Sequence, residues 1–397
     1  MHGYLRSDGR KGIRNVVAVA YLVECARHVA HEIAAEFRGK PVHVIGFPGC
    51  YPNPYANRMM RQLCTHPNVG AVLLVSLGCE GFDKRGLRDV IAGSGRPVDL
   101  VGIQTTGGTR STIRRGVEWV RDAMAELAET PRVPMTAADL VVGTICGGSD
   151  ATSGLTANPA MGIAFDTLVA AGGRAIFEET GELIGLTQFM ADRAETPELA
   201  GEIVACMDKT EAYYRTLGHG SFAAGNADGG LTTIEEKSLG AYAKSGRSPI
   251  AGLIKPGDIP PRAGLYLLDV IPDGEVRFGF PNINDNAEIA ELIACGSQIV
   301  LFATGRGSVV GSAISPVIKV CANPQTFRRM SEDMDVDAGR VLEGRATLSE
   351  VGGEIFALIE AVADGVSTKS EELLHQEFIL TYKSFTPIGP SCLPGVG

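Results

Sequence analysis

The sequence of 397 residues contains no apolar run near the roughly 18 to 20 residues that span a bilayer. It also shows neither the charged nor the apolar region of an export signal. These absences predict a soluble, cytoplasmic protein without a membrane anchor. Lys and Arg total 36 against 46 Asp and Glu, which gives a formal net charge of -10. Nucleic acid is therefore not expected as a partner, and an anionic substrate must meet local positive charge.

Motifs for several kinds of site are also missing. The 7 histidines form neither HxH nor HExxH, so a metal site built from histidines of this chain alone is not expected. No CxxC pair occurs among the 9 cysteines. The segment 305–307 does not extend to GxGxxG, and 107–112 lacks the P-loop lysine, which argues against binding of a dinucleotide or ATP.

Short runs rich in Val, Ile and Leu alternate with helical patterns, which predicts buried parallel strands covered by helices. Strands are predicted over 16–20, 42–47, 71–77, 98–103, 139–145, 174–177, 265–270, 299–303 and 317–320. Helices are predicted over 24–37, 55–64, 84–92, 109–127, 159–171, 197–217 and 286–294. The pattern indicates an α/β fold with two open parallel-sheet, Rossmann-like domains and long glycine-rich active-site loops.

A domain boundary is predicted in 129–135, which contains two prolines and no periodicity. It separates a first α/β domain over 1–134 from a larger second α/β domain over 135–397, which carries most active-site loops. Within the second domain, 218–262 is rich in Gly, Ser, Thr and Pro without clear periodicity. We predict a long functional loop there.

Ligands of open α/β sheets bind beyond the carboxyl ends of strands. Cys25, Cys50, Cys79 and Cys146 each follow an apolar run by a few residues. They would ligate a soft metal or an iron–sulfur cluster, or serve as small buried hydrophobic residues. The stretch 146–159 offers backbone N–H groups to a carboxylate or phosphate, although a turn with Asn158 as N-cap and Pro159 in the first helical position is an equally simple interpretation.

Acidic residues follow another predicted strand. Glu178, Glu179 and Glu182 come directly after 174–177. Two carboxylates on one face could bind a hard divalent metal or exchange protons. They could equally well only favour a helix start through the helix dipole.

Basic residues lie in three further places. Lys237, with Glu235 beside it, follows a glycine-rich segment, and a lysine next to a metal is one way to remove a proton α to a carboxylate. A solvated loop with an incidental ion pair is the alternative. Arg306 follows a strand between two glycines and suits a substrate carboxylate. Arg10 and Arg14 precede the first strand and could steer an acidic substrate.

These motifs together resemble the large catalytic portion of the altronate and galactarate dehydratases. The matching residues are Gly3-Tyr4, Arg6, Asp8-Gly9-Arg10, Arg14-Asn15, Cys146-Gly147-Gly148-Ser149-Asp150, Ser153-Gly154, Thr156-Ala157-Asn158-Pro159, Gly225-Asn226, Gly229-Gly230, 235–239, Thr304-Gly305-Arg306-Gly307 and 316–320. They occur in order along nearly the whole chain.

The resemblance implies an enzyme that dehydrates sugar acids with a divalent metal, usually iron or manganese. A related two-subunit member of that family removes sulfite from sulfolactate. Single-chain members begin with a small N-terminal domain that has no counterpart here, so the resemblance implies a separate small subunit. The chain departs from the family at Thr144, where cysteine is frequent, and at Thr187-Gln188, where Glu-His is common.

We therefore predict a metal-dependent hydro-lyase that eliminates water from a sugar acid or related hydroxy carboxylate, as the large subunit of a two-component, oligomeric enzyme. Because the α-proton of a carboxylate is very weakly acidic, a Lewis acid such as Fe²⁺ or Mn²⁺ should stabilise the enolate. The predicted site residues are Lys237, Glu235 and Asp150 for catalysis, Cys146, Glu179 and Glu182 for the metal, and Arg10, Arg14, Asn15, Ser149, Ser153, Asn158, Asn226 and Arg306 for the substrate. Three alternatives stay open: elimination of sulfite, an iron–sulfur dehydratase using Cys50, Cys79 and Cys146, and a non-catalytic scaffold subunit.

Overall fold

The computed structural model describes residues 1–217, 224–273, 284–381 and 383. The strands are β1 (His2–Leu5), β2 (Lys11–Gly12), β3 (Val16–Tyr21), β4 (Val42–Gly46), β5 (Val69–Ser76), β6 (Val98–Gly102), β7 (Arg132–Pro134), β8 (Val141–Cys146), β9 (Arg174–Phe177), β10 (Ile250–Ile254), β11 (Gly264–Leu268), β12 (Ile299–Thr304), β13 (Val317–Cys321) and β14 (Val336–Asp337).

Helices connect most of these strands. They are α1 (Glu24–Ala35), α2 (Pro54–Cys64), α3 (Lys84–Gly93), α4 (Ile103–Thr106), α5 (Thr109–Ala128), α6 (Ala157–Ala170), α7 (Thr187–Ala191), α8 (Pro197–Leu217), α9 (Ala224–Asp228), α10 (Ile234–Ala243), α11 (Asp285–Ala294), α12 (Pro324–Arg329), α13 (Leu348–Ala363) and α14 (Lys369–Glu372). Short 3₁₀ turns lie at Ala137–Asp139, Thr180–Leu183 and Gly339–Val341. Within the described ranges, no helix is long and apolar enough to cross a membrane.

Two parallel sheets organise the chain and confirm the predicted α/β fold. The first has the order β4-β3-β5-β6, and the second has the order β10-β11-β9-β8-β12-β13-β14. A small antiparallel sheet, β2-β1-β7, lies beside them. Because the central strands are apolar on both faces, helices must cover both faces of each sheet.

Apolar clusters show how the layers pack. One cluster lies between the two sheets and includes Met59 of α2, Ile145 of β8 and Ile293 of α11. A second holds α1 and α5 against the outer face of the first sheet. A third holds α6 and α13 against the far face of the second sheet. The two sheets therefore share a buried core. Helix α11 lies in this core, on the face of the second sheet that is turned toward the first sheet.

The predicted strands and helices agree closely with the observed ones, and the proposed boundary segment has structure of its own. Within 129–135 the chain forms β7, in which Val133 pairs with Gly3 of β1. This edge strand ties the segment to the start of the chain. The division at 134/135 stays a prediction.

The prediction of an irregular loop over 218–262 is wrong where the structure describes it. Residues 218–223 lie outside the described ranges, but α9, α10 and β10 follow. Thr233 starts α10 with a reciprocal capping box, in which its side chain accepts from the Glu236 N–H and Glu236 accepts from the Thr233 N–H. This Thr-x-x-Glu signature is present in the sequence and marks a helix start.

The interpretation of Asn158 as the N-cap of a helix is also wrong. Helix α6 begins at Ala157 after Thr156, so Asn158 is its second residue and not its N-cap. The Asn158 Nδ2 instead donates to the Gly240 carbonyl at 2.8 Å. Asn158 thereby fastens α6 to α10.

Candidate active site

The site begins where two neighbouring strands end. Strands β8 and β9 are parallel neighbours with Thr144 opposite Phe177. Cys146 and Glu179 each follow two residues later, so the register brings them side by side. The Cys146 N–H donates to Glu179 Oε2 at 3.0 Å. Glu179 has φ 67, a left-handed backbone that is uncommon for a residue with a side chain and is found most often at functional sites.

A third donor comes from the turn that follows. Glu182 lies in the 3₁₀ turn Thr180–Leu183, and its Oε2 is 3.2 Å from Cys146 Sγ. The sulfur of Cys146 and one oxygen each of Glu179 and Glu182 all lie within 4.8 Å of one another. Sulfur and carboxylate donors in one set suit a divalent transition metal. In the part of the chain that the structure describes, this is the group of three such residues that could hold an ion.

Helix α10 adds two lysines to these donors. Lys237 Nζ lies 3.3 Å from Cys146 Sγ, 2.8 Å from Ser149 Oγ and 2.8 Å from Glu182 Oε1. Lys244, the C-cap residue directly after α10, pairs through its Nζ with Glu179 Oε2 and lies 3.4 Å from Cys146 Sγ. Residues seven apart share one face of a helix. Both lysines are buried, Lys237 with 3% and Lys244 with 0% of its side chain exposed.

These groups balance each other's charge. Two carboxylates face two ammonium groups around one thiol, which is how buried charges are tolerated. Burial alone would lower the pKa of Lys237, but the Cys146 sulfur and the Glu182 carboxylate raise it above the ordinary value. Lys237 is therefore an ammonium in this arrangement.

Asp285, the first residue of α11, lies against the same cluster. A side chain at Gly147 would overlap its carboxylate, so this carboxylate lies directly against the Gly147 backbone. Burial and then the Glu182 charge raise the pKa of Asp285 to about 6, while Lys237 opposes the shift. Sequence reasoning missed Asp285, because only the packing of α11 on β8 brings it here.

A second acidic cluster lies next to the first. Glu178 is fully buried, and neither of its carboxyl oxygens has a hydrogen-bond partner. Burial, then Glu288 and Glu291, raise its pKa well above the ordinary value. Glu291 accepts from Tyr55 Oη at 2.6 Å and from Lys383 Nζ at 2.8 Å. Glu178 and Glu179, although adjacent in sequence, thus serve different clusters.

The loop after β8 is organised by its own side chains. Asp150 accepts from the Thr152 N–H at 2.8 Å through Oδ1 and from Asn323 Nδ2 at 3.0 Å through Oδ2. Ser153 Oγ accepts from the Asp150 N–H at 3.1 Å. The carboxylate of Asp150, a predicted catalytic residue, is therefore engaged in shaping the turn.

Two further predicted residues belong to the same group of loops. The Arg306 N–H donates to the Gly148 carbonyl at 2.8 Å, and its exposed guanidinium donates to the Gly225 carbonyl. Asn226, beside Gly225, is buried. The structure thus brings Arg306 and Asn226 together with the loop that carries Ser149 and Ser153.

The structure does not bring Arg10, Arg14 or Asn15 to this cluster. Arg10 donates to Asp8, and Arg14 forms a two-pronged pair with Glu371 at 2.7 and 2.9 Å. Asn15 accepts from the Arg6 guanidinium at 3.0 Å and donates to the Leu127 carbonyl at 3.2 Å. Their side chains thus hold the chain's first residues to distant segments, and substrate binding by them stays a prediction without support from these contacts.

Their place in the fold explains the separation. Gln298 accepts from the Val141 N–H at the start of β8 and donates to the Lys11 carbonyl at 2.8 Å. Residues near Lys11 therefore lie at the amino edge of the second sheet. Cys146 ends β8 five residues later, which is about 16 Å away along a strand.

Glu235 and the exposed cysteines also stay outside the cluster. Glu235 is exposed and stands two residues from Lys237, on the other side of α10. Cys50 and Cys79 are exposed, whereas Cys146 is buried. Neither Cys50 nor Cys79 joins Cys146 in the group of close donors.

Lys244 is the main residue that the sequence interpretation missed. Its signal was the seven-residue spacing from Lys237, which can be used only once 234–243 is recognised as a helix. The contact between α10 and the loop after β8 could likewise not be predicted from the sequence. A side chain at Gly154 would stand 2.9 Å from Gly240 Cα, so the loop after β8 touches the backbone of α10.

Two family models and several known proteins match most of the chain. The family model described as D-galactarate/Altronate dehydratase, C-terminal, matches residues 137–386, and the one described as D-galactarate dehydratase/Altronate hydrolase, second domain, matches residues 3–128. The (2R)-sulfolactate sulfo-lyase subunit beta of Chromohalobacter salexigens is 34% identical over 96% of both chains. The altronate dehydratase of Escherichia coli is 28% identical over 93% of this chain and 74% of its own length. The galactarate dehydratase (L-threo-forming) of the same organism is 32% identical over 78% of this chain and 59% of its own.

Proposed function

The chain belongs to the D-galactarate/altronate dehydratase family of lyases, and on that premise we propose that it eliminates water from C2 and C3 of a sugar acid or related 2-hydroxy carboxylate. The observation that carries the proposal is the buried group of one thiol, two carboxylates and two lysines at the carboxyl ends of β8 and β9. It combines donors for a Lewis acid with a group for proton transfer, the two requirements of such an elimination.

We assign Cys146, Glu179 and Glu182 as ligands of a divalent cation, Fe²⁺ or Mn²⁺. The donor set of one sulfur and two carboxylates, mutually within 4.8 Å, fits such an ion. When bound, the ion would supply Lewis-acid polarisation of the substrate's carboxylate and hydroxyl. Three donors leave coordination positions for substrate oxygens or for a group from another subunit.

We assign proton transfer to Lys237. Loss of water breaks the C2–H and C3–O bonds, so Lys237 would take the C2 proton as the free amine and return it, as the ammonium, to the hydroxyl that leaves C3 as water. Cys146 and Glu182 hold a proton on this amine while they are its partners, and their use as metal ligands would free the amine to act as the base. Ser149, which accepts from Lys237 Nζ at 2.8 Å, fixes the position of that proton. Glu235, on the far side of α10, is not needed in this assignment.

We assign the outer part of the site to substrate recognition. Arg306 is exposed at the loop junction, where its guanidinium can turn to a substrate carboxylate. Ser149, Ser153 and Asn226 lie in the loops that meet there, and Asp150 and Asn158 hold those loops in place. Asp150 and Asn158 would thus hold in place the side chains that recognise the substrate.

A second candidate is loss of sulfite in place of water. It is favoured by the match to a sulfo-lyase subunit beta over 96% of both chains, whereas the two dehydratases of Escherichia coli extend well beyond the matched part. Removal of the C2 proton is common to both reactions, and both enols become 2-oxo acids. We propose that this chain likewise works with a separate partner subunit.

Turnover by Lys237→Ala tests the proposal. The chain, purified anaerobically with and without a co-expressed partner subunit, is supplied with Mn²⁺ and with altronate, galactarate or sulfolactate. A carbonyl reagent reports the 2-oxo acid, and a thiol reagent reports sulfite, which separates the two candidates. Lys237→Ala should lower turnover at least about 100-fold while retaining the far-UV circular dichroism of the parent, because among the described residues Lys237 is the lysine that donates to Ser149.

The control is Lys369→Ala, at a lysine that is paired with Glu372 and has 41% of its side chain exposed, and its activity should be unchanged. Near-parental turnover by Lys237→Ala would remove that residue from the mechanism.

Metal analysis with a visible spectrum addresses the cofactor. About one iron or manganese per site without a cluster band supports a mononuclear ion, whereas several irons with labile sulfide would support the iron–sulfur alternative.

A further inference from the structure

Lys244 contacts all three of the donors assigned to the metal. Its Nζ pairs with Glu179 Oε2, lies 3.4 Å from Cys146 Sγ and lies 4.0 Å from Glu182 Oε2. The side chain is completely buried. We propose that the Lys244 ammonium competes with the divalent cation for these donors, so that metal binds by displacing this lysine and Lys244 sets the metal affinity. The inference rests on the proposed metal site and concerns its regulation.

The other lysine of the site does not fit this role. Lys237 has Ser149 Oγ as an additional partner at 2.8 Å and makes no contact with Glu179. The partners of the Lys244 amine within the described ranges, in contrast, are these three donors. A cation that binds Glu179 must therefore part it from Lys244, while Lys237 can keep its bond to Ser149.

Glu178 is the acceptor that we propose for the displaced ammonium. Glu178 is the residue before Glu179, is fully buried and has no hydrogen-bond partner at either carboxyl oxygen. The charge of Lys244 already acts on this carboxyl group. Because a buried carboxyl group without a partner is costly, the lysine gains a partner there while it gives up Glu179. On this proposal Lys244 exchanges Glu179 for Glu178, whose carboxyl group belongs to the neighbouring acidic cluster.

Competition by a buried charge has a definite sign. Removing one positive charge a few ångströms from a divalent cation strengthens the binding of that cation. Lys244→Met keeps most of the side-chain volume and removes the charge. We expect Lys244→Met to bind Mn²⁺ at least about tenfold more tightly than the parent chain. Glu178→Met, which removes the alternative acceptor and leaves the three donors in place, should bind Mn²⁺ more weakly than the parent.

Electron paramagnetic resonance of free Mn²⁺ gives the dissociation constants without any assay of turnover. Lys319→Met is the matched control, because Lys319 is also fully buried but lies on β13, and its charged neighbours are Asp333, Asp335 and Glu377. Its Mn²⁺ affinity should equal that of the parent. Equal or weaker binding by Lys244→Met would overturn the inference, and parental binding by Glu178→Met would overturn the alternative position.

A second measurement covers the case in which Lys244→Met does not fold. A crystal structure of the unaltered chain grown with Mn²⁺ should show the ion on Glu179 and the Lys244 amine next to Glu178. An ion bound with Lys244 still paired to Glu179 would refute the displacement. If the unaltered chain and all variants fail to bind Mn²⁺ at these residues, the proposed metal site itself falls, which is distinct from a failure of the Lys244 inference alone.

Discussion

Asp285 should make the protein less stable as the pH rises from acid to neutral. Its carboxyl group, packed against Gly147, has a pKa raised from 3.8 to about 6 by burial and then by Glu182. Well below pH 3.8 both the folded and the unfolded chain carry the proton, so the shift has no effect on the free energy of unfolding there. Between these two values the folded state holds the proton more tightly, and stability falls as the pH increases.

The size of the effect follows from the shift. The pKa of Asp285 in the folded state exceeds that in the unfolded state by about 2, and each pKa unit corresponds to about 1.4 kcal/mol. The free energy of unfolding is therefore lower by roughly 3 kcal/mol at pH 7. Asp285→Asn removes the ionisation and with it this loss. Asp285 also stands in the first turn of α11, where its charge is favourable by less than about 1 kcal/mol. The variant should therefore be about 2 kcal/mol more stable than the parent at pH 7 and no more stable at pH 4.

Urea unfolding followed by circular dichroism at pH 4 and pH 7 measures the difference. Asp89→Asn is the control, because Asp89 is a helical aspartate with 67% of its side chain exposed, and the variant should track the parent at both pH values. A constant offset between Asp285→Asn and the parent at the two pH values would show that ionisation of Asp285 is not the cause. A variant less stable than the parent at pH 7 would refute the reasoning outright.

Two further substitutions test other contacts. Arg14→Ala should lower the free energy of unfolding by roughly 2 to 3 kcal/mol in urea titrations, because it leaves the Glu371 carboxylate without its two-pronged partner; KM of the active complex should not change, and a raised KM at parental stability would restore Arg14 as a substrate ligand. Gly154→Ala would place a methyl group 2.9 Å from Gly240 Cα and push α10 from the loop after β8, which should cost about 1 to 3 kcal/mol and lower kcat. Gly201→Ala, in open space on α8, should instead be stabilising by about 0.5 to 1 kcal/mol, and equal effects of the two would argue against the close contact.

The parallel strands could be predicted from the sequence because each is a short apolar run bounded by polar residues. β5, for example, is buried at all of its residues, and the run 71–77 already indicates it. The candidate metal donors could be found from the sequence for the same reason. Cys146 and Glu179 each follow a predicted strand, and parallel strands end at the same edge of a sheet.

Contacts made through tertiary packing could not be predicted in this way. Arg14 follows a motif that suggests substrate binding, but its partner Glu371 is separated from it by most of the chain. Asp285 reaches Gly147 only because α11 packs on β8. Lys244 was missed for a local reason. Glycine and serine around α10 weaken the helical pattern in the sequence, so the helix that begins at the Thr233–Glu236 capping box was not predicted.

The charge balance of the site is a second argument for the metal ion that we propose, separate from the donor set. Lys237 and Lys244 are both paired with carboxylates, so neither ammonium is free to neutralise an incoming substrate. Glu178, Glu288 and Glu291 lie next to these pairs, and the chain as a whole carries a formal charge of -10. A carboxylate substrate would therefore meet a site whose lysine charges are already balanced, with the Arg306 guanidinium at its edge. A divalent cation on Glu179 would reverse that balance, because it brings two positive charges and releases Lys244 toward Glu178, which turns a neutral cluster into one that attracts an anion.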